Sequence, residues 1–272
     1  MDLEALKQKA NDIRIDIVKM VAEAGSGHPG GSLSSADILA ALYFGGVLEH
    51  DPENPQDPAR DRFVLSKGHA APVLYAALAE AGYFPADELL TLRKLGSRLQ
   101  GHPDCRKLPG VEVSTGSLGQ GLSIAAGMAC GLKRQESAST VFALLGDGEC
   151  QEGQVWEAAM FAAHRGLDNL VAIVDHNHLQ IDGSIEDVCS PESLTAKFEA
   201  FGWTVLACEG NEMEAVLSAL SEAKALRSGA PKVVVADTTK GKGVSFMEGQ
   251  AGWHGKAPSA EQASQALEEL GA

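Results

Sequence analysis

Val141-Phe142-Ala143-Leu144-Leu145-Gly146-Asp147-Gly148-Glu149 is the stretch on which the fold turns. Five apolar residues in succession lack the alternation of a strand with one wet face, so they read as a strand buried on both faces, the kind a parallel sheet contains. The pattern returns on either side. Leu170 to Val174, Trp203 to Ala207 and Val233 to Ala236 read as further buried strands, and helical spacing fills Gly119 to Leu132, Val155 to Ala163 and Met213 to Leu226. Helix alternating with strand predicts an α/β fold, a doubly wound and mostly parallel sheet flanked by helices. Upstream, Leu6, Ala10, Ile13, Ile17, Met20 and Val21 recur at three- and four-residue steps behind Asp2, a candidate N-cap, and predict an amphipathic helix from Leu3 to about Glu23. The glycines and proline of Ser26-Gly27-His28-Pro29-Gly30-Gly31 read as a break, followed by a helix from about Ser35 to Phe44. Asp51 to Asp61 reads as a surface loop and Arg62 to Ser66 as a short extended run; Pro258 to Ala272 is expected to form a short acidic surface helix. Residues 1–272 are expected to form a single domain.

Composition narrows the function classes. The hydrophobic share of 44% and charged share of 22% are those of an ordinary folded protein. With 22 Lys and Arg against 37 Asp and Glu, the net charge of -15 repels nucleic acid and anionic membranes. A bound phosphate must then be neutralised locally, by a metal, backbone amides or a few placed cations. The five cysteines, at 105, 130, 150, 189 and 208, form no Cys-x-x-Cys pair and no disulfide framework, which fits a reducing cytoplasm. The N-terminus lacks a secretory pattern, and no run approaches the ~20 apolar residues of a membrane span.

Ligands in such sheets bind where strands end at their carboxyl edge. Asp147 follows the Val141 strand, and Asn177 follows the Leu170 strand thirty residues on, with one helix and one strand between. A carboxylate and an amide carbonyl at neighbouring strand ends are hard oxygen donors, suited to Mg²⁺ or Ca²⁺ with phosphate oxygens and water completing the shell. Gly146 and Gly148 would let a diphosphate approach the backbone. His28, His69, His102 and His254 each adjoin glycine in a predicted loop, where an imidazole can reach a ligand. His50, His164, His176 and His178 match no pattern and read as surface or core residues.

With the Gly-Asp-Gly triplet, the distant Asn177 and the following Leu179-Gln180-Ile181-Asp182-Gly183 in place, the sequence resembles the thiamine diphosphate enzymes, and specifically the transketolases. The resemblance runs from the first helix to at least Lys256. It is carried also by Ser26-Gly27-His28-Pro29-Gly30, Ser66-Lys67-Gly68-His69, Gly101-His102-Pro103, Trp253-His254-Gly255-Lys256 and the glycine loop Thr115-Gly116-Ser117-Leu118-Gly119-Gln120-Gly121. It implies a thiamine diphosphate-binding fold, of which this chain is the diphosphate-binding domain, with Asp147, Asn177 and the carbonyl of Leu179 as metal ligands. It further implies that Gly116, Ser117, Leu118, Gly148, Ile181 and Lys240 line the cofactor, with His69 and His254 beside it. His28, His69 and His102 would surround the donor's first hydroxyls and the developing alkoxide, His254 would bridge diphosphate and substrate, and Glu152 would communicate across a subunit interface. Ser117 stands where many relatives have proline, which leaves the local loop geometry open. An exposed Glu152 favoured at a helix start and a solvated Lys240 are the plainer alternatives.

The implied reaction moves a two-carbon ketol unit from a ketose or ketose phosphate to an aldose or aldose phosphate. The family takes the glutamate that activates the aminopyrimidine from a second α/β domain, for which ~100–150 further residues would be needed. The expectation is therefore a split enzyme: this chain is the N-terminal subunit, and a C-terminal subunit supplies the pyrimidine-binding domain in an α2β2 heterotetramer. Two alternatives stand beside it. One is another thiamine diphosphate enzyme, of the deoxyxylulose-phosphate synthase or dehydrogenase E1 type; the other is a cofactor-binding subunit without catalytic activity. A nicotinamide site on Gly116-x-x-Gly119-x-Gly121 lacks the preceding strand and the ribose acid it requires.

Overall fold

The computed structural model describes residues 1–272. Strands β1 (Arg62–Leu65), β2 (Val141–Gly146), β3 (Leu170–His176), β6 (Thr204–Glu209) and β7 (Lys232–Asp237) form one sheet in the order β1-β2-β3-β7-β6, and every neighbouring pair is parallel. A two-residue hairpin, β4 (Leu179–Gln180) with β5 (Gly183–Ser184), stands apart. The apolar runs are explained by what each face meets. Phe142, Leu144, Val171, Ile173 and Val234 enter a core of 51 buried residues, whereas Val141, Ala143, Leu145, Leu170, Ala172, Val174 and Val233 enter a second core of 22. Successive side chains of a strand point to opposite faces, so a sheet with helices on both faces needs apolar residues at every position.

The larger core is closed by α1 (Leu3–Ala24), α3 (Ala36–Phe44), α4 (Ala71–Glu80) and α9 (Met213–Ala225); the smaller one by α5 (Gln120–Arg134), α6 (Gly153–His164) and α8 (Leu194–Ala200). Asp2 caps α1 by accepting from the amide of Ala5 at 2.8 Å, as the sequence predicts. The expected break at Pro29-Gly30-Gly31 is instead a short helix, α2 (Pro29–Ser34), because proline is well placed in a first turn and Gly30 fits where a side chain would not. A Cβ on Gly30 would lie 2.9 Å from the Trp253 carbonyl oxygen. The Trp203 to Ala207 stretch is an edge strand, half-buried and with Ala207 exposed, rather than a fully buried one. The acidic tail does form a helix, α10 (Ala260–Glu269), behind a Ser259–Gln262 capping box, but Ala263 and Ala266 are buried in the larger core. Helices α4, α7 (Ile185–Cys189) and α8 carry no signal that the strand-and-helix alternation singled out. All five cysteines are free, and no helix is long and apolar enough to cross a membrane.

Candidate active site

Parallel register brings the carboxyl ends of β1, β2 and β3 to one edge, and the residues that follow them build a single pocket. Its walls include His28, Lys67, His69, Gly116, Leu118, Asp147, Gly148, Glu152, Asn177, Leu179, Ile181, Lys240 and His254. Asp147 is 2% exposed; its Oδ1 accepts from the amide of Gly148 at 2.7 Å and its Oδ2 from that of His178 at 2.6 Å. Burial, followed by the neighbouring Asp175, pushes its carboxyl above the usual range. Asn177 is buried beside it, and its Nδ2 donates to Asp175 Oδ2 at 2.8 Å, which fixes the amide so that Oδ1 is the end left to accept. The Leu179 carbonyl accepts from Lys240 Nζ at 3.1 Å.

Beneath this layer lies a network to which the sequence reading assigned no role. Lys67 and Asp175 are both fully buried, with Nζ 2.6 Å from Oδ2. Asp175 also accepts from Ser34 Oγ at 2.7 Å and Thr238 Oγ1 at 2.6 Å, and Lys67 donates to the Gly31 carbonyl and Ser35 Oγ. Burial works to raise the Asp175 carboxyl, yet the Lys67 ammonium and the hydroxyl donors hold it below the ordinary range. Glu149 does similar positioning: its carboxylate accepts from Ser66 Oγ and from the amides of Gly119 and Gly146, which ties together the loops after β1 and β2 and the start of α5. Lys67 and Glu149 stood inside quoted motifs, but their burial against these partners is a property of the assembled sheet.

Three imidazoles of the pocket wall form a triangle. Ring centroids are 5.3 Å apart for His28 and His69, 4.9 Å for His69 and His254, and 5.6 Å for His28 and His254. Burial and neighbouring cationic groups push them down, His28 to about 4, His254 to about 3 and His69 to about 2. Each is neutral near pH 7 and presents one N–H donor and one acceptor. Lys240 is 2% exposed, not solvated; its Nζ lies 3.2 Å from His254 Nδ1, and burial lowers it to about 8.

The remaining sequence-selected residues are placed unevenly. His102 is exposed and outside the pocket wall, packed so closely on Gly116 that a Cβ there would lie 3.0 Å from its ring. Ser117 is exposed and does not line the pocket; Ile181 lines it but is 66% exposed. Glu152 is exposed at the N-terminus of α6 and lines the pocket without a hydrogen bond of its own to the cap. Arg93, which no motif marked, reaches Ser26 Oγ at 2.9 Å and His28 Nδ1 at 3.4 Å.

By architecture this is a parallel α/β protein with its polar pocket at the carboxyl edge of the sheet. The chain belongs to the transketolase family, through the transketolase thiamine diphosphate binding domain, whose sequence model matches residues 5–272. It is 45% identical to a 6-deoxy-6-sulfo-D-fructose transketolase subunit, SqwG, of Clostridium sp. (strain MSTE9), over 97% of this chain and 96% of that one. It is also 45% identical to an apulose-4-phosphate transketolase subunit from Actinobacillus succinogenes, over 99% and 97%. A transketolase crystal structure from Campylobacter jejuni superposes with a TM-score of 0.93 at 36% identity, covering 100% of this chain and 43% of that one. The chain thus spans less than half of that transketolase chain and nearly all of the relatives named as subunits.

Proposed function

We propose that this chain is the N-terminal, diphosphate-binding subunit of a two-chain transketolase, a transferase that moves a two-carbon ketol unit from a ketose or ketose phosphate to an aldose or aldose phosphate. The observation that carries the reading is the placement of the Asp147, Asn177 and Leu179 oxygens in one pocket with the His28, His69 and His254 triangle. Thiamine diphosphate, when bound, supplies the nucleophilic carbon that attacks the ketose carbonyl. The pocket residues fit that group and its metal. Carboxylate, amide and carbonyl oxygens are the donors a Mg²⁺ or Ca²⁺ ion takes, and a buried Asp147 with Asp175 nearby leaves negative charge that such an ion would balance. An added Cβ on Gly148 would lie 3.0 Å from Gln180 Cβ, so glycine there lets the backbone beside Asp147 pack closely against the Gln180 side chain. Lys240 provides a further cation beside Leu179.

In this reading the neutral imidazoles of His28, His69 and His254 hold the donor's hydroxyls and supply N–H donors to developing oxyanion charge. His102 reaches the substrate from the rim. Glu152, Ile181, Gly116, Ser117 and Leu118 border the cofactor or the partner. The C-terminal partner would bring the pyrimidine-binding domain and its glutamate, in an α2β2 heterotetramer operating in the cytoplasm, and the whole of residues 1–272 acts as one diphosphate-binding domain. The near-equal lengths of the relatives named as subunits support the two-chain arrangement. The test mixes the purified chain with thiamine diphosphate and Mg²⁺, alone and with the candidate partner, and follows ketol transfer. Turnover requires both chains; substantial turnover by this chain alone refutes the split.

A further inference from the structure

His176 and His178 flank Asn177 but turn away from the pocket above. β3 ends at His176, and His178 stands in the bend that follows with φ 64°; that turn sets the two rings together with centroids 4.1 Å apart. The register of the parallel sheet sets Asp237, the last residue of β7, opposite His176, the last residue of β3. His178 Nε2 is 2.9 Å from Asp237 Oδ1, and one ligand atom from each of His176, His178 and Asp237 falls within 4.8 Å of the others. Glu192 Oε1 lies 2.8 Å from His176 Nε2, within reach of a shared ion or of the N–H of a ligated imidazole. His176, Glu192 and Asp237 border a second cleft, lined also by Leu194 and Glu209.

We propose that His176, His178 and Asp237 form a second divalent-metal site, selective for zinc-class ions (Zn²⁺, Co²⁺, Ni²⁺). Two imidazoles and a carboxylate are borderline donors that favour these ions, whereas the all-oxygen set of Asp147, Asn177 and Leu179 favours Mg²⁺ or Ca²⁺. Ligand bonds of ~2.0–2.2 Å set donor atoms ~3.3 Å apart around a tetrahedral ion. His178 and Asp237 are each about half exposed, at 51% and 57%, and can take up that spacing by side-chain rotation. The sites adjoin along the chain, where Asn177 stands between His176 and His178, and through the His178 amide, which donates to Asp147 Oδ2. An ion on the imidazoles therefore pins the loop that carries the other site. The inference stands on these three side chains and does not depend on the transketolase reading.

The full chain is first saturated with Mg²⁺ and thiamine diphosphate, and Zn²⁺ is then titrated against a chromophoric chelator, with Co²⁺ followed by its visible absorption. One equivalent of Zn²⁺ per chain is expected. His178→Ala and Asp237→Asn should each weaken it at least ~100-fold, beyond the ~10–100-fold typical of losing a supporting contact, while Asp147→Asn retains it. Circular dichroism melts confirm that the exposed-site variants are folded. No uptake by the unaltered chain overturns the proposal. So does uptake that survives both exposed-site substitutions, or that disappears only with Asp147→Asn.

Discussion

Replacing Lys67 by Met tests the network beneath the pocket. The substitution keeps an unbranched apolar stem and removes the terminal ammonium, so Asp175 is left fully buried without its ion partner, while Ser35 Oγ and the Gly31 carbonyl lose a donor. Removing one partner of a buried pair typically costs ~3–5 kcal/mol. Asp175 retains Ser34, Thr238 and Asn177 as donors, which places Lys67→Met near ~3 kcal/mol. For a chain of this size that is roughly a 6–12 °C fall in Tm. Urea unfolding followed by circular dichroism at pH 7 measures it, with an unchanged m-value showing that stability rather than the unfolded state has moved. The double variant Lys67→Met with Asp175→Asn carries no stranded charge and should recover ~1–2 kcal/mol relative to the single one. A Lys67→Met chain within ~1 kcal/mol of the parent, or a double variant less stable than either single one, would refute the claim that these two charges support each other.

Asp16 gives a pH test. It is partly buried, its Oδ2 has no hydrogen-bond partner, and burial with nearby Glu80 raises it to about 6 from an ordinary 3.8. The folded chain therefore holds that proton more tightly than the unfolded one, so stability falls as pH rises from about 4 to 6 and then levels. A dry interior would make this ~3 kcal/mol; with solvent close by, screening reduces it to ~1 kcal/mol. Asp16→Asn should abolish that step, seen as a Tm difference from the parent that grows between pH 4 and 6. Gly121→Ala places a Cβ 2.5 Å from Ser66 Cα and should cost ~1–3 kcal/mol in thermal unfolding; a neutral result means the β1 and α5 ends are not tightly apposed. In the reconstituted enzyme, His69→Ala should lower ketol transfer at least ~100-fold, with chain association by ultracentrifugation unchanged. Asp147→Asn should shift thiamine diphosphate binding to much higher Mg²⁺, read by fluorescence quenching, and an unaltered Mg²⁺ requirement would exclude Asp147 as a ligand.

Local pattern was sufficient for the frame of this protein. Val141 to Leu145, Leu170 to Val174 and Val233 to Ala236 are strands because every position on them faces a core, and that demand is written directly in an unbroken apolar run. The same pattern puts Asp147 and Asn177 just beyond neighbouring strand ends, so the pocket's location was legible with the fold. Short helices were less so: α2 hides in Pro29-Gly30-Gly31, where glycine serves close packing against Trp253 rather than a turn. Charge partners were not legible at all. Lys67 and Asp175 stand 108 residues apart and meet at 2.6 Å, and Lys240, ambiguous as one more lysine, is closed in beside Leu179 and His254.

His176, His178 and Asp237 show the division most clearly. In the sequence two of them are histidines that match no pattern, and the third is the last residue of β7. Sequence alone determined that the chain is a parallel α/β protein with oxygen donors at its strand ends, because periodicity and strand termination are local. The tertiary structure alone decided which charged and polar side chains meet, because that depends on register between strands and on the water that packing removes.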